Sequence, residues 1–90
     1  MKIQRKTKAI IYVDEHGKEL AALEYKEHQN VYYLMSTYVD PSLRGQGIAG
    51  KLLDELIVLL EEKGATASPV CSYSVSWFQK HPEYEKYLKK

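Results

Sequence analysis

A chain of ninety residues has room for one hydrophobic core, and the sequence therefore predicts a single domain over residues 1–90. Its apolar content of 44% and charged content of 28% are typical of a globular protein and exclude a disordered tail. A formal net charge of +1 argues against nucleic acid or an anionic membrane as a partner, because the protein lacks the strong positive potential that would attract either one.

Cysteine and histidine usage narrows the class further. The one cysteine, Cys71, excludes an internal disulfide framework and favours a reducing compartment. The three histidines have no metal-ligand spacing, so no metal is expected. Met1 is followed by a polar, basic stretch unlike a secretory leader, and no apolar run reaches the ~20 residues that cross a bilayer. We therefore expect a soluble, cytoplasmic protein.

The first half of the chain predicts an antiparallel meander of three strands over Lys8–Val13, Glu19–Tyr25 and Val31–Val39. Turn residues separate the strands at 14–17 and 28–30. The third strand is apolar on both sides, so we expect it to be central and covered on both faces. Strict alternation would place five residues on one of its faces: Val31, Tyr33, Met35, Thr37 and Val39.

The second half predicts a helical crossover. Pro41 ends the third strand, and apolar residues at helical spacing run from Ile48 to Leu60 before Lys63 and Gly64 close the helix. Residues 65–71 fit one short strand parallel to the third.

A second, shorter helix is predicted after that strand. It runs from Ser72 to about Lys80 with Val75 and Phe78 inward, and Pro82 begins a last helical turn. The expected fold class is thus mixed α/β: a three-stranded antiparallel meander, a helical crossover to a parallel strand, and a short C-terminal helix.

The junction between third strand and long helix has the chemistry of an anion site. Bare N–H groups gather at a helix start, where a phosphate binds readily. Gly45-Gln46-Gly47-Ile48-Ala49-Gly50 has the spelling of a dinucleotide loop, but antiparallel strands precede it and no acidic residue follows the next strand. A P-loop is also excluded, because Leu52 stands where a magnesium-binding hydroxyl belongs.

The pattern Arg44-x-x-Gly47-x-Ala49, with Val39-Asp40-Pro41 before it, resembles the pyrophosphate loop of the GNAT superfamily of N-acetyltransferases. The resemblance covers about residues 19–81. Segments 69–73 and 81–84 are similar to the very short, single-domain group of that superfamily.

The resemblance implies acetyl-CoA, or coenzyme A, as cofactor. Backbone N–H groups from Arg44 through Ala49 would wrap its pyrophosphate, and a Cβ at Gly45 or Gly47 would stand where phosphate oxygens must come. The pantetheine arm would pair with the third strand as it splays from the next one. The residues implied to bind cofactor are Thr37, Tyr38, Val39, Arg44, Gly45, Gln46, Gly47, Ile48, Ala49, Gly50, Cys71 and Phe78.

Two catalytic routes stay open. Cys71, expected at a helix start that favours the thiolate, either takes the acetyl group and passes it on or only packs near the reacting sulfur. Phe78 occupies the position where the family has a proton-donating tyrosine, so Tyr73 or a water is expected to act instead. Glu24 and His81 are candidate general bases.

The functional expectation is an N-acetyltransferase acting on an unidentified amine: a protein lysine, a protein N-terminus or a small amine. The alternative is a non-catalytic acyl-CoA-binding module, favoured by Phe78 and by the apparent loss of the helices that wall the acceptor site. A helix start that contains glycines but binds no ligand is the remaining alternative.

Overall fold

The computed structural model describes residues 2–90 and shows five strands, two α-helices and two 3₁₀ turns. In chain order the strands and helices are β1 (Lys2–Arg5), β2 (Ala9–Val13), β3 (Glu19–His28), β4 (Val31–Val39), α1 (Ile48–Lys63), β5 (Thr66–Pro69) and α2 (Ser72–Gln79). The 3₁₀ turns cover Pro41–Leu43 and Pro82–Tyr87.

All five strands form one sheet in the order β1-β2-β3-β4-β5, with β4 and β5 parallel and the other neighbours antiparallel. Both helices bury their apolar residues in one cluster on one face of this sheet, which we call the helix face. Its fully buried members include Ile10, Leu23, Leu34, Leu52, Leu53, Leu56, Leu60 and Ala67. The mixed α/β class is confirmed, and the meander has one strand more than the sequence predicted.

Strand β1 was missed because Lys2–Arg5 has a single apolar residue, Ile3, and offers no alternation to detect. It is added to β2 in antiparallel register, with Arg5 opposite Ile10. The Arg5 guanidinium then reaches helix α1 and donates to the carboxylates of Glu55 and Glu62, each at 2.7 Å. These ion pairs raise the pKa of Arg5 and lower that of Glu62.

A β-bulge at Met35 breaks the alternation predicted for β4. Tyr25 pairs with Leu34 whereas Glu24 pairs with Ser36, so Met35 is the extra residue. Leu34 and Thr37 consequently share the helix face, and Ser36 and Tyr38 point to the opposite face. The expectation that Met35 and Thr37 lie on one side with Val31 was wrong, because a period of two cannot cross an unpaired residue.

The expectation that β4 is covered on both faces holds only for its first half. Val31, Tyr32 and Leu34 are buried, but Met35 is 38% exposed and Tyr38 is 54% exposed. The second half leaves the shelter of β5, whose pairing with β4 ends at Leu34–Pro69.

Helix α2 turns a different face inward from the one predicted. Ser74, Trp77 and Phe78 are its buried residues, at the i, i+3, i+4 spacing of one helix stripe. Val75 lies off that stripe and is 38% exposed, so its predicted inward position was wrong. The residue that caps the helix is Cys71, and Ser72 is the first helical residue.

The remaining boundaries moved by small amounts. Strand β3 continues past Tyr25 to His28 because Gln29 and Asn30 adopt positive φ of 51° and 66° and make a tight hairpin turn. Strand β5 is shorter than the predicted 65–71. Among the described residues no helix is long and apolar enough to span a bilayer.

Replacing Arg5 by alanine is expected to destabilise the fold by about 1 kcal/mol, because two half-exposed ion pairs between sheet and helix are lost. The matched control is Lys6→Ala, whose ion pair with Glu19 is longer and more exposed and should contribute less than about 0.5 kcal/mol. Urea unfolding of both variants measures the difference. Equal losses would show that Arg5 does not tie β1 to the helix.

Candidate active site

The connection from β4 to helix α1 is held in place at Asp40. Its carboxylate accepts hydrogen bonds from the N–H of Ser42 at 2.9 Å and from the Ser42 hydroxyl at 2.7 Å, and these bonds lower the pKa of Asp40. Pro41 follows at the first position of the 3₁₀ turn, where its missing N–H costs nothing. The chain therefore leaves the sheet in a fixed direction before it reaches the glycines.

Gly45 and Gly47 both adopt left-handed backbone, with φ of +83° and +72°. A side chain at either position would be strained, and this requirement explains the glycines without any ligand. A Cβ built at either glycine nevertheless meets no atom within 4 Å, so the space above the loop is open. A cavity of about 190 Å³ lies there, bounded by the loop, by Val39 and by Tyr73.

The N–H groups of this loop are not all available to an anion. Those of Arg44 and Gln46 donate to the carbonyls of Pro41 and Leu43, both at 3.3 Å. The other N–H groups of the loop and first helical turn have no acceptor in the described part of the chain. They belong to Gly45, Gly47, Ile48, Ala49 and Gly50.

The start of α1 carries no charge compensation of its own. Gly47 is the N-cap and has no side chain to bond the first N–H groups, and the first turn contains no acidic residue. The positive end of a 16-residue helix is thus left for an external group. The exposed Arg44 side chain, which makes no ion pair among residues 2–90, adds positive charge beside it.

Gly50 has a different role from the two loop glycines. A Cβ there would lie 3.7 Å from Trp77 Nε1 and 3.9 Å from the Tyr73 hydroxyl oxygen, which are ordinary contact distances. The side chains of Trp77 and Tyr73 therefore lie over Gly50, and helix α2 packs across the first turn of α1. This packing also places Tyr73 at the edge of the loop cavity.

The two parallel strands separate at Leu34. Its carbonyl accepts the N–H groups of both Val70 and Cys71, each at 3.0 Å, and pairing between the strands goes no further. From Met35 to Val39, strand β4 has no partner strand on this side. The end of β4 and the start of α2, which are the segments predicted to hold the pantetheine arm, are therefore not paired as strands, and we call the boundary between them the slot.

Cys71 lies at the inner end of that slot. Its sulfur is 3.4 Å from the Thr37 hydroxyl and donates to the Ser74 hydroxyl at 3.1 Å, while Ser74 in turn donates to the Cys71 carbonyl at 2.9 Å. The N–H groups of Tyr73 and Ser74 approach the sulfur without completing a capping hydrogen bond. Partial burial raises the pKa of Cys71, but the hydrogen bonds of Ser74 and Thr37 and these N–H groups outweigh it, so that the pKa lies below its ordinary value.

The two aromatic candidates differ in what they can do. Tyr73 is partly exposed on the loop cavity, and burial together with the charge of Asp54 raises its pKa, so it keeps its proton at neutral pH. Phe78 is buried against the edge of the Trp77 ring, at a centroid distance of 5.1 Å, and has no proton to give. Of these two residues, only Tyr73 can therefore donate a proton.

Neither candidate base contacts Cys71. His81 follows the C-terminal end of α2, stacked on Trp77, and its Nδ1 lies 2.8 Å from the Trp77 carbonyl oxygen and must donate to it. With Cys71 at the opposite end, about 12 Å of helix separates the two. Glu24 lies on the sheet face away from the helices and accepts a hydrogen bond from Ser36 at 2.6 Å. Within residues 2–90 no group of three or more potential ligands could hold a metal.

Residues 8–88 match the family model of the GCN5-related N-acetyl-transferases. This chain belongs to that family. No curated protein sequence matches the chain.

Solved structures of the same fold place this family member among both short and long relatives. A GCN5-like protein from Staphylococcus aureus, solved by NMR, shares 22% identity over 98% of this chain and 87% of its own, with a TM-score of 0.80. The ribosomal-protein-S18-alanine N-acetyltransferase from Escherichia coli shares 19% identity over 86% of this chain, with a TM-score of 0.68. A GNAT-family N-acetyltransferase from Escherichia coli in complex with CoA shares 19% identity over 88% of this chain, with a TM-score of 0.66. This chain spans only 54% and 45% of those two longer proteins.

Sequence reasoning missed two polar groups of the site, the side chains of Thr37 and Ser74. Thr37 was singled out for its backbone, and only the bulge at Met35 turns its hydroxyl toward the helices. Ser74 stands three residues after the helix-capping Cys71, in the i, i+3 spacing of a capping box, and that signal could have found it.

We expect Cys71 to react with iodoacetamide as a thiolate at a lower pH than a free cysteine, whose pKa is about 8.5. Thr37→Val, which removes the hydroxyl at nearly constant shape, should move the midpoint of the alkylation rate upward, and Ser74→Ala should do the same. The midpoint is read from the rate of alkylation against pH.

The control for both variants is Ser72→Ala, because Ser72 is exposed on the same first turn and makes no contact with the sulfur. A midpoint that stays constant in all three variants would show that the hydroxyls do not stabilise the thiolate.

Proposed function

We propose that this protein is an acetyl-CoA-dependent N-acetyltransferase of the GCN5-related family. Membership of the family supports the general activity, and coenzyme A, as acetyl-CoA, is the cofactor that goes with it. The observation that carries the proposal here is the uncapped start of α1. Five N–H groups without acceptors lie beside two left-handed glycines, under open space.

The residues present fit the pyrophosphate of coenzyme A. The N–H groups of Gly45, Gly47, Ile48, Ala49 and Gly50 would hold its oxygens, and the absence of a Cβ at the first two positions permits close approach. The Arg44 guanidinium would add charge at the rim. Gln46 contributes no backbone donor, since its N–H and its side chain are bonded within the loop, the latter to the Ser42 carbonyl at 3.4 Å.

The slot beyond Leu34 fits the rest of the cofactor. The unpaired side of β4 at Thr37, Tyr38 and Val39 would satisfy the amides of the pantetheine arm, much as an added strand does. Its inner end is lined by the Cys71 sulfur and the Thr37 hydroxyl, and Tyr73, at the edge of the loop cavity, is the candidate proton donor. The buried Phe78 ring packs against Trp77 and has no proton to donate.

When bound, the thioester supplies an activated acetyl group. In the direct route an amine would attack the acetyl carbon, a C–N bond would form and the C–S bond would break. Coenzyme A would leave as a thiolate that takes a proton from Tyr73 or water, and the proton released by the amine nitrogen would restore that donor. In the relay route the Cys71 thiolate would attack the acetyl carbon first and coenzyme A would leave as a thiolate; the amine would then attack the Cys71 thioester and release the Cys71 thiolate. The lowered pKa of Cys71 supports the second route without requiring it.

We also propose that residues 1–90 act as one domain in the cytoplasm. One core cluster takes residues from strands β2 to β5 and from both helices, which supports a single folding unit. The single free cysteine suits a reducing compartment.

A second function, a non-catalytic acyl-CoA-binding module, is favoured by one observation. Phe78 is buried where the family's proton-donating tyrosine would stand. Release of free thiol from acetyl-CoA in the presence of a panel of amines separates the two functions. Thiol release that depends on both enzyme and amine supports the transferase, and binding without release supports the module.

Isothermal titration should show that the protein binds coenzyme A, and that Gly47→Glu weakens binding at least about 100-fold by placing a carboxylate against the phosphates. The matched control is Gly64→Glu at the other end of α1. Gly64 has a similar left-handed φ of +61° and equally open space, so the variant carries the same charge and a similar strain. A wild-type protein that ignores coenzyme A would end the proposal, and equal losses in both variants would attribute the effect to folding.

The relay is tested by intact-mass measurement after incubation with acetyl-CoA and no amine. We expect an acetyl adduct on the wild-type protein and none on Cys71→Ala, because the thiolate is the group that would carry it. Persistence of the adduct in Cys71→Ala would move the modified site elsewhere. Amine-dependent thiol release by Cys71→Ala at the wild-type rate would establish direct transfer.

A further inference from the structure

Two side-chain donors of helix α2 converge on the first turn of α1. The position of a Cβ at Gly50 is 3.7 Å from Trp77 Nε1 and 3.9 Å from the Tyr73 hydroxyl oxygen. Gly50 lies three residues beyond the Gly47 N-cap, which is roughly 4.5 Å of helix rise. The two donors therefore flank the start of α1 from the side, next to the cavity above the loop that Tyr73 also borders.

The indole N–H of Trp77 is a nearly buried donor without a partner. Trp77 is 6% exposed, and no residue among 2–90 accepts a hydrogen bond from its Nε1. Every completely buried side-chain nitrogen and oxygen in this part of the chain has a partner, so Nε1 must retain contact with solvent. Because Nε1 is the atom of the ring nearest to Gly50, and its N–H bond points outward from the ring, the donor is directed at the first turn of α1. Such a group costs stability until an acceptor reaches it.

Tyr73 and Trp77 belong to one stripe of α2, and the group that contacts Cys71 belongs to another. Four positions separate Tyr73 from Trp77, so their side chains lie on the same side of the helix. Ser74, whose hydroxyl is 3.1 Å from the Cys71 sulfur, is turned by about 100° from Tyr73. Helix α2 thus directs Ser74 at the slot and the Tyr73 hydroxyl at the start of α1.

We propose that the Tyr73 hydroxyl and the Trp77 indole N–H form a second phosphate site, which binds the 3′-phosphate on the ribose of coenzyme A. This inference rests on the proposed function and adds to it two residues outside the loop, which select the phosphorylated form of the cofactor. The ribose carries the 3′-phosphate and, through its 5′-carbon, the pyrophosphate, so a site one helical turn from the loop is within reach. Both protein groups donate hydrogen bonds, and such bonds are stronger when the acceptor is a charged phosphate oxygen.

The charges around this position also favour a phosphate. The positive end of α1 is uncompensated, and the exposed Lys51 ammonium group forms no ion pair among residues 2–90. Asp54 lies one turn further from the helix start. Burial and the Asp54 charge raise the pKa of Tyr73, so its hydroxyl keeps the proton that it donates. With this hydroxyl engaged by the 3′-phosphate, water is the proton donor for the departing thiolate in the direct route.

The first test observes the indole N–H of Trp77 by NMR. Trp77 is the single tryptophan of the chain, so the nitrogen–proton spectrum contains one indole peak. The probes are coenzyme A and dephospho-coenzyme A, which lacks only the 3′-phosphate. We expect coenzyme A at saturation to move the indole peak and dephospho-coenzyme A to move it much less. Equal shifts from the two compounds would overturn the second phosphate site.

The second test is isothermal titration of Tyr73→Phe, which removes the hydroxyl and keeps the ring. The Kd for coenzyme A should rise about 5- to 10-fold while that for dephospho-coenzyme A changes less than about 2-fold, because only the bond to the 3′-phosphate is lost. Where amine-dependent transfer is measured, kcat at saturating acetyl-CoA should stay constant, whereas loss of a proton donor would lower it. An equal rise for both compounds, or an unchanged Kd for coenzyme A, would overturn the site.

Trp77→Phe tests the other donor. Because this ring is buried, urea unfolding first establishes that the variant is folded, and the readout is the ratio of the two Kd values, which a general loss of packing would not change. We expect the preference for coenzyme A over dephospho-coenzyme A to fall, and a ratio equal to that of the wild type would exclude the indole N–H from the site.

The matched control is Tyr33→Phe, which removes a hydroxyl from β4 next to Leu34, on the sheet face away from the helices, and should change neither Kd. A wild-type protein whose spectrum responds to neither compound would overturn the proposed function, and this inference with it. Tight binding of both compounds with no preference between them would overturn the second phosphate site alone.

Discussion

The Leu34 carbonyl is the point on which the architecture of the site depends. One oxygen accepts two N–H groups, from Val70 and from Cys71, and this fixes both the last rung of the parallel pairing and the start of helix α2. If the parallel pairing continued for another pair of residues, β5 would occupy the slot, and the backbone groups of β4 on this side would already be hydrogen-bonded. Because Met35 bulges directly after Leu34, the strand bends there and its later residues diverge from β5. The free backbone of β4, the position of the Cys71 sulfur and the exposed second half of the strand all follow from this local arrangement.

The two ends of helix α1 show how the same sequence element can be finished for stability or left open for binding. At its C-terminus Gly64 is left-handed, Lys63 lies in the last turn, and the N–H groups of Gly64 and Ala65 satisfy the last carbonyls. At the N-terminus nothing equivalent occurs, since Gly47 offers no capping side chain and no acid lies in the first turn. A glycine N-cap costs roughly a few tenths of a kcal/mol of stability relative to a serine or aspartate cap. The C-terminal end of α1 is fully capped, whereas its N-terminal end lacks a capping side chain. This difference is consistent with an external anion that accepts hydrogen bonds from the first N–H groups of the helix.

Much of this could be predicted from the sequence because it rests on local chemistry. Val31–Val39 was predicted with its observed bounds, because apolar periodicity and turn residues are local features of the sequence. The two loop glycines do adopt positive φ. What could not be predicted depends on non-local register. The bulge at Met35 exists only because β3 pairs with β4 in one particular alignment, and it decides which side of the sheet Thr37 and Ser36 face. Strand β1 is similarly invisible in four mostly polar residues, because pairing with β2 and the ion pairs of Arg5 define it.

The bulge also bears on how so short a chain can retain an acyltransferase site. The helix face must provide both the protein's core and the slot proposed for the cofactor, and in ninety residues α1 and α2 are the helices available to cover it. On the opposite face the second half of β4 is exposed, at Tyr38 and Met35. Burial is therefore confined to the first half of β4, and the bulge at Met35 marks the point where the strand passes from the core to an exposed stretch beside the proposed site.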